Sequence, residues 1–191
     1  MSARRKMTFA VSAFAMIIIA SIVTLVSVLA ATSVKVNNSI TVKYTVVDVI
    51  CDVEVYAVKV KNSATSVTWG TAKGTKSFAH NASATEQSIS LGTDFDLLKD
   101  ECVVIKFVFN NNGDMAFNAT LTAPTAGTNM AIAYGTTGTK PADIASTSFS
   151  SVSVASGADK SNTYYAKISI SDVTKNANIA TSFSWTLAKA S

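Results

Sequence analysis

Few side chains in this chain are equipped for chemistry: one histidine, two cysteines and a short run of acids. His80 lies between Ala79 and Asn81 in a turn-rich stretch. A serine or cysteine hydrolase needs a base to take the nucleophile's proton, usually a histidine oriented by a third group. His80 fills that role only if the fold brings a nucleophile and an acid to it; the plain reading is a loop histidine in solvent. Zinc asks for three or four His, Cys or carboxylate ligands, and this chain offers one His and two Cys without metal spacing. Asp94, Asp96, Asp100 and Glu101 form the densest acidic group, and calcium takes such oxygens. Their spacing matches no EF-hand, and the alternative is a solvated turn in which Asp94 caps a single helical turn over 95–99. No glycine-rich phosphate loop occurs, and the scattered Asp and Glu define no glycosidase pair. These residues point to no enzyme, no cofactor and no metal beyond the calcium candidates.

Cys51 and Cys102 both fall on strand-like segments, and an oxidising exterior would allow a disulfide between them. In the chain-entropy account a bridge closing a loop of about fifty residues stabilises by a few kcal/mol. Alternation places Cys51 on the apolar phase of its strand but Cys102 opposite the Val103, Ile105 and Phe107 face. A bridge and two buried thiols are therefore both open. Three glycosylation sequons occur, Asn37-Asn38-Ser39, Asn81-Ala82-Ser83 and Asn118-Ala119-Thr120, although such triplets also arise by chance in a chain rich in Asn, Ser and Thr.

The elements that must carry these residues begin with a membrane-targeting segment. From Thr8 to Ala31 the chain has no charge, Pro or Gly, directly behind Arg4, Arg5 and Lys6. A helix of this length spans the roughly 30 Å hydrocarbon core, and the basic flank stays inside, so the remainder faces outward. Val28-Leu29-Ala30 followed by Ala31 offers small residues for signal peptidase, with Ala30 and Ala31 at the cleavage point, while the apolar run is longer than a usual cleavable core. Residues 1–31 are thus a signal peptide or a retained anchor, in which case residues 8–31 hold the chain to the membrane. Residues 32–191 are long enough for one extracellular domain.

That domain reads as strands. Ile40, Val42, Tyr44 and Val46 alternate with Thr41, Lys43 and Thr45; Val49, Cys51, Val53 and Val55 continue on a changed phase, which predicts a bulge or a crossing between sheets near Val47-Asp48. The stretch 62–86 reads as short strands and turns around Trp69. Val103, Ile105, Phe107 and Phe109 share a face, a turn at 110–114 follows, and Phe117, Ala119 and Leu121 return, the pattern of a hairpin with an Asn-Gly turn. Further strands are expected at 130–134, 149–154, 164–170 and 179–187, with Phe183, Trp185 and Leu187 facing one way. The intervening 123–162 is rich in loop residues. Short strands at regular spacing with almost no helix predict an all-β, two-sheet immunoglobulin- or jelly-roll-like sandwich preceded by one N-terminal hydrophobic helix.

Composition narrows the partners. Charged residues are 15% of the chain against roughly 25% in an average domain, so polarity comes from Ser, Thr and Asn. Of the 16 basic residues, Arg4, Arg5 and Lys6 precede the apolar run, leaving 13 against 12 acids. A near-neutral domain without a Lys/Arg cluster argues against a nucleic-acid partner.

The run Leu98-Lys99-Asp100-Glu101-Cys102-Val103-Val104-Ile105-Lys106-Phe107-Val108-Phe109-Asn110-Asn111-Asn112-Gly113-Asp114 resembles a pattern of exported immunoglobulin-like domains, an apolar strand ending in Asn-x-Gly-Asp. With the targeting segment and the Ser/Thr-rich strands, the layout is similar to camelysin and TasA-like proteins, which include biofilm-matrix fibre subunits and surface proteases. Those proteins carry an aromatic, Ser and Asp after the signal, where this chain has Ala31-Thr32-Ser33-Val34-Lys35; the resemblance implies architecture alone. Expected is a cell-surface structural or adhesive protein, a fibre or matrix subunit self-associating by strand addition, with the 40–60 segment as donor. Pilin-like filament subunit, membrane-anchored hydrolase and ligand-binding module are the alternatives.

Overall fold

In the computed structural model the described residues are 33–34, 37–91, 95, 97–122, 124, 126–149, 151–157, 159–171 and 178–190. The expected helix over 8–31, the cleavage positions Ala30 and Ala31, and the calcium candidates Asp94 and Asp96 lie outside them. No helix among the described residues is long and apolar enough to cross a membrane.

Among the described residues, alternating apolar and polar side chains build twelve strands: β1 (Ser33–Val34), β2 (Asn37–Val47), β3 (Cys51–Lys61), β4 (Gly74–Phe78), β5 (Thr85–Ser90), β6 (Leu97–Leu98), β7 (Glu101–Asn111), β8 (Phe117–Thr122), β9 (Met130–Gly135), β10 (Val152–Val154), β11 (Lys160–Ile170) and β12 (Asn178–Lys189). One sheet has the order β10-β8-β12-β2-β5 and the other β4-β3-β7-β11-β9. Every pairing in the two sheets is antiparallel except β2 with β12, the first and last long strands, which run parallel in register from Asn37↔Asn178 to Val47↔Ala188. Residues Val34–Ser191 form one compact unit.

The two sheets face each other across one core. Ile40, Val42, Tyr44, Phe117, Leu121, Phe183 and Trp185 from the first meet Val53, Val55, Phe107, Phe109, Tyr164 and Ile168 from the second. Trp185 is the hub, with ring centroids 4.8 Å from Phe109, 5.2 Å from Phe107, 5.5 Å from Phe149 and 5.8 Å from Tyr164. Edge-to-face and tilted contacts at such distances add to what burial alone contributes.

The phase change near Val47-Asp48 is a crossing between sheets, as one of its two readings required. β2 belongs to the first sheet and β3 to the second, and Asp48 turns the chain with φ 56°. The predicted hairpin at 103–121 is corrected: β7 and β8 lie in different sheets, so their apolar faces oppose each other across the core instead of pairing edge to edge. The turn needs no positive φ at Gly113; Gly157 is the glycine with positive φ among the described residues. Asn111 shapes this crossing instead. Its buried side chain donates from Nδ2 to the carbonyls of Met115 and Ala155, each at 2.8 Å, and accepts from the Gly113 N–H at 2.8 Å. The single helical turn expected over 95–99 is also corrected, because Leu97–Leu98 is extended.

Among the described residues, crossings at 48–50, 79–84, 112–116 and 155–157 gather at one end of the sandwich. They are tied together by Asp48 N–H to the Asn81 carbonyl (3.0 Å), Asn112 N–H to the Ile50 carbonyl (3.1 Å) and the Asn111 contact to Ala155. On the outer face of the second sheet, the loops 62–73 and 135–144 meet through Val67 N–H and the Thr139 carbonyl at 2.7 Å. They cover a second apolar cluster of Cys102, Val104 and Ile144 with Val58, Val60, Val67, Trp69 and Tyr165 around it.

Candidate functional site

A cleft opens on the flank where β4 and β5, one edge strand from each sheet, come together. Val46, Ser77, Phe78, Ala79, His80, Asn81, Thr85 and Gln87 line it, enclosing about 250 Å³. Val46 and Phe78 form its apolar floor because alternation turns them toward the core. His80 stands at the rim, its Nδ1 3.1 Å from Oδ1 of Asp48. That pair supplies a base and the group that orients it. The third member of a hydrolytic triad is missing among the described residues: Asn81 Nδ2 donates to Oγ1 of Thr85 at 3.2 Å, and no serine, threonine or cysteine there hydrogen-bonds to His80. Asp48 as the partner of His80 was not anticipated from the sequence, since thirty-two positions separate them and only the crossing brings them together.

The acidic group does not join this cleft. Asp100 pairs with Lys61 at 3.8 Å, and Glu101 pairs with Lys59 at 3.2 Å while accepting the Leu98 N–H at 2.9 Å. Both sit where β7 begins, whereas Asp48 and His80 sit at the end where it finishes, eleven residues or about 35 Å away along a strand. Among the described residues no group of three or more His, Cys, Asp or Glu is placed to hold a metal ion.

The cysteines are free thiols, and the disulfide reading gives way to its alternative. Cys51 points into the main core and Cys102 into the outer cluster, on opposite faces of one sheet. The residue opposite Cys102 on β3 is Val60, nine positions beyond Cys51, so about 30 Å of strand also separates them. Burial, with the Asp52 carboxylate adding to it, pushes the Cys51 thiol up to about 12. Burial likewise pushes Cys102 up to about 11, with Lys167 opposing and Glu101 adding. Protonated, enclosed thiols are poor nucleophiles and poor ligands.

No protein-family model and no curated protein matches this chain.

Two sheet faces complete the inventory. The outer face of the second sheet carries Lys106 with its Nζ 3.8 Å from the centroid of the Tyr56 ring and 5.1 Å from that of Trp69. Tyr56 donates to Glu54 Oε2 at 2.6 Å, and Asn110 donates to Glu54 Oε1 at 3.3 Å. Trp69 has Tyr56 on one side and Tyr165 on another, at centroid distances of 6.4 and 6.0 Å. Ring and cation are thus spent on closing the outer cluster, a cation–π arrangement that holds the covering loop. The outer face of the first sheet is nearly uncharged among the described residues. Across it run Thr120, Thr186 and Thr45 in register, then Thr122, Ser184, Lys43 and Ser88. Lys43 and Glu86, 3.7 Å apart, form its ion pair. The alternation of Thr41, Lys43 and Thr45, and of Ser182, Ser184 and Thr186, was legible in sequence; their assembly into one hydroxyl-lined surface was not.

Proposed function

We propose that this chain is an exported cell-surface protein with a structural or adhesive role, an immunoglobulin- or jelly-roll-like sandwich that serves as a fibre or matrix subunit. The observation that carries this reading is the position of β2. It is the first long strand after the targeting segment, and it lies in the interior of its sheet, parallel to β12 and antiparallel to β5. The expected donor segment 40–60 therefore divides: β3 is interior to the other sheet, and β2 is the first long strand after the N-terminal segment. A β2 supplied by a neighbouring copy would make the same eleven-residue pairing with β12 and fill the same core positions, so exchange costs little beyond the linker. The hydroxyl-lined, weakly charged face and the uncharged targeting run fit a protein that assembles outside the cell.

A cysteine pair tests this. Thr45 and Thr186 are register partners on the outer face of the first sheet, so Thr45→Cys with Thr186→Cys reports which β2 lies beside which β12. Oxidised assemblies recovered from the external or membrane fraction should run as a ladder of covalent multimers on a non-reducing gel. Assemblies that persist while every bridge closes within one chain would refute strand exchange. Intact mass in the same fractions separates a cleaved form beginning near Ala31 from a retained anchor.

A further inference from the structure

The three sequons differ in where the fold puts them. Asn37-Asn38-Ser39 lies within β2, in register with residues 178–180 of β12. Asn118 is half-buried in β8, with Ser153 of β10 on one side and Ala188 of β12 on the other. Asn81-Ala82-Ser83 sits in the β4–β5 crossing, where residues 79–84 are all exposed and unpaired in any sheet. The crossing is nonetheless ordered by named contacts. Asn81 Oδ1 accepts the Ser83 N–H at 3.0 Å, its Nδ2 donates to Thr85 Oγ1 at 3.2 Å, and its carbonyl accepts the Asp48 N–H at 3.0 Å.

We propose that Asn81 is an N-glycosylation site whose substrate is a sugar carried on a lipid phosphate. The step forms a bond from Asn81 Nδ2 to the anomeric carbon of the sugar. The bond from that carbon to the phosphate oxygen breaks, the phosphate lipid leaves with the electron pair, and Nδ2 gives up one of its two protons. The other N–H still reaches Thr85 Oγ1, and Oδ1 still accepts from Ser83, so the product fits the folded crossing without loss of its contacts. A glycan there stands at the rim of the cleft that Val46, Phe78 and Gln87 line, beside β4 and β5, which are edge strands among the described residues and the flank on which a further strand could add. The inference rests on the reading that the domain is exported, because the sugar donor acts outside the cytoplasm.

The test is peptide mass spectrometry on full-length protein taken from the membrane and external fractions of cells that make it. The tryptic peptide 77–99 should carry sugar mass on Asn81. Ser83→Ala should abolish that mass while leaving the protein folded, because the Ser83 backbone N–H and not its hydroxyl makes the contact to Asn81. Exported protein with peptide 77–99 unmodified would overturn the proposal and leave export standing. Sugar on Asn81 that persists in Ser83→Ala would also overturn it, and protein confined to the cytoplasm would overturn export and the proposal together.

Discussion

A single side chain can decide how two strands are joined, and Asn111 does so here. It occupies an inward position at the end of β7 where alternation calls for an apolar residue, and it satisfies three backbone groups, two in the crossing that follows β7 and one just after β10. Asn111→Ala would leave the Met115 and Ala155 carbonyls and the Gly113 N–H short of partners in a buried site. The expected cost is about 2–4 kcal/mol, read as a lowered urea midpoint. Tyr44 and Trp185 present the opposite case. They are register partners on β2 and β12, both buried, and Tyr44 Oη and Trp185 Nε1 have no hydrogen-bond partner among the described residues. Burial raises the Tyr44 pKa well above its ordinary value, with Cys51 nearby adding to it. Tyr44→Phe deletes an unsatisfied hydroxyl while keeping the ring against Phe109, so its stability should match or exceed that of the parent by about 1 kcal/mol. A loss of that size would mean that the hydroxyl has a partner in solution.

At the scale of elements, the β2–β3 crossing depends on one backbone angle. Asp48 holds φ 56°, a conformation that glycine adopts freely and β-branched residues adopt at a cost. Asp48→Gly keeps the turn and gives up the exposed His80 pair, which contributes little. Asp48→Val should destabilise by about 1–3 kcal/mol relative to Asp48→Gly in thermal or urea denaturation. Equal stability of the two variants would show that the crossing relaxes to another path. The same crossing was one of the two readings, with a bulge, that the change of apolar phase at Val47-Asp48 left open. The β7–β8 crossing was misread as a hairpin because no phase break marks it: the pattern reports which residues turn inward, and both a hairpin and an arch across the core satisfy it.

For the whole molecule, the thiols link stability to pH. Both cysteines titrate well above their ordinary value in the folded chain, Cys51 at about 12 and Cys102 at about 11. The unfolded chain releases those protons first, near the free-thiol value of about 8.5. The folded state therefore binds more protons in alkali, and stability falls as pH rises. This contribution is complete below about pH 8 and is lost progressively as pH climbs toward the folded values. Urea midpoints should drop between pH 8 and 9.5, and the drop should shrink in Cys51→Ala. A steeper or unchanged profile in the variant would argue against this linkage. Thiol reagents at pH 8 should label neither cysteine until denaturant is added, and no bridge between them should form under oxidation, since they occupy opposite faces of one sheet.

The sequence by itself determined the all-β character, the inward residues of the long strands and the change of phase after β2, because period-two alternation and its breaks are local properties of neighbouring side chains. It also determined the near-neutral charge of the domain and its scarcity of catalytic groups, which composition alone contains. Only the tertiary structure decided which strands pair. Strand β12 lies beside β2 through contacts separated by most of the chain, and backbone pairing is blind to side-chain type at that distance. The meeting of His80 with Asp48, the separation of Cys51 from Cys102 and the exposure of Asn81 relative to Asn118 all follow from that pairing. Each depends on where a crossing places a residue rather than on what its neighbours in sequence are.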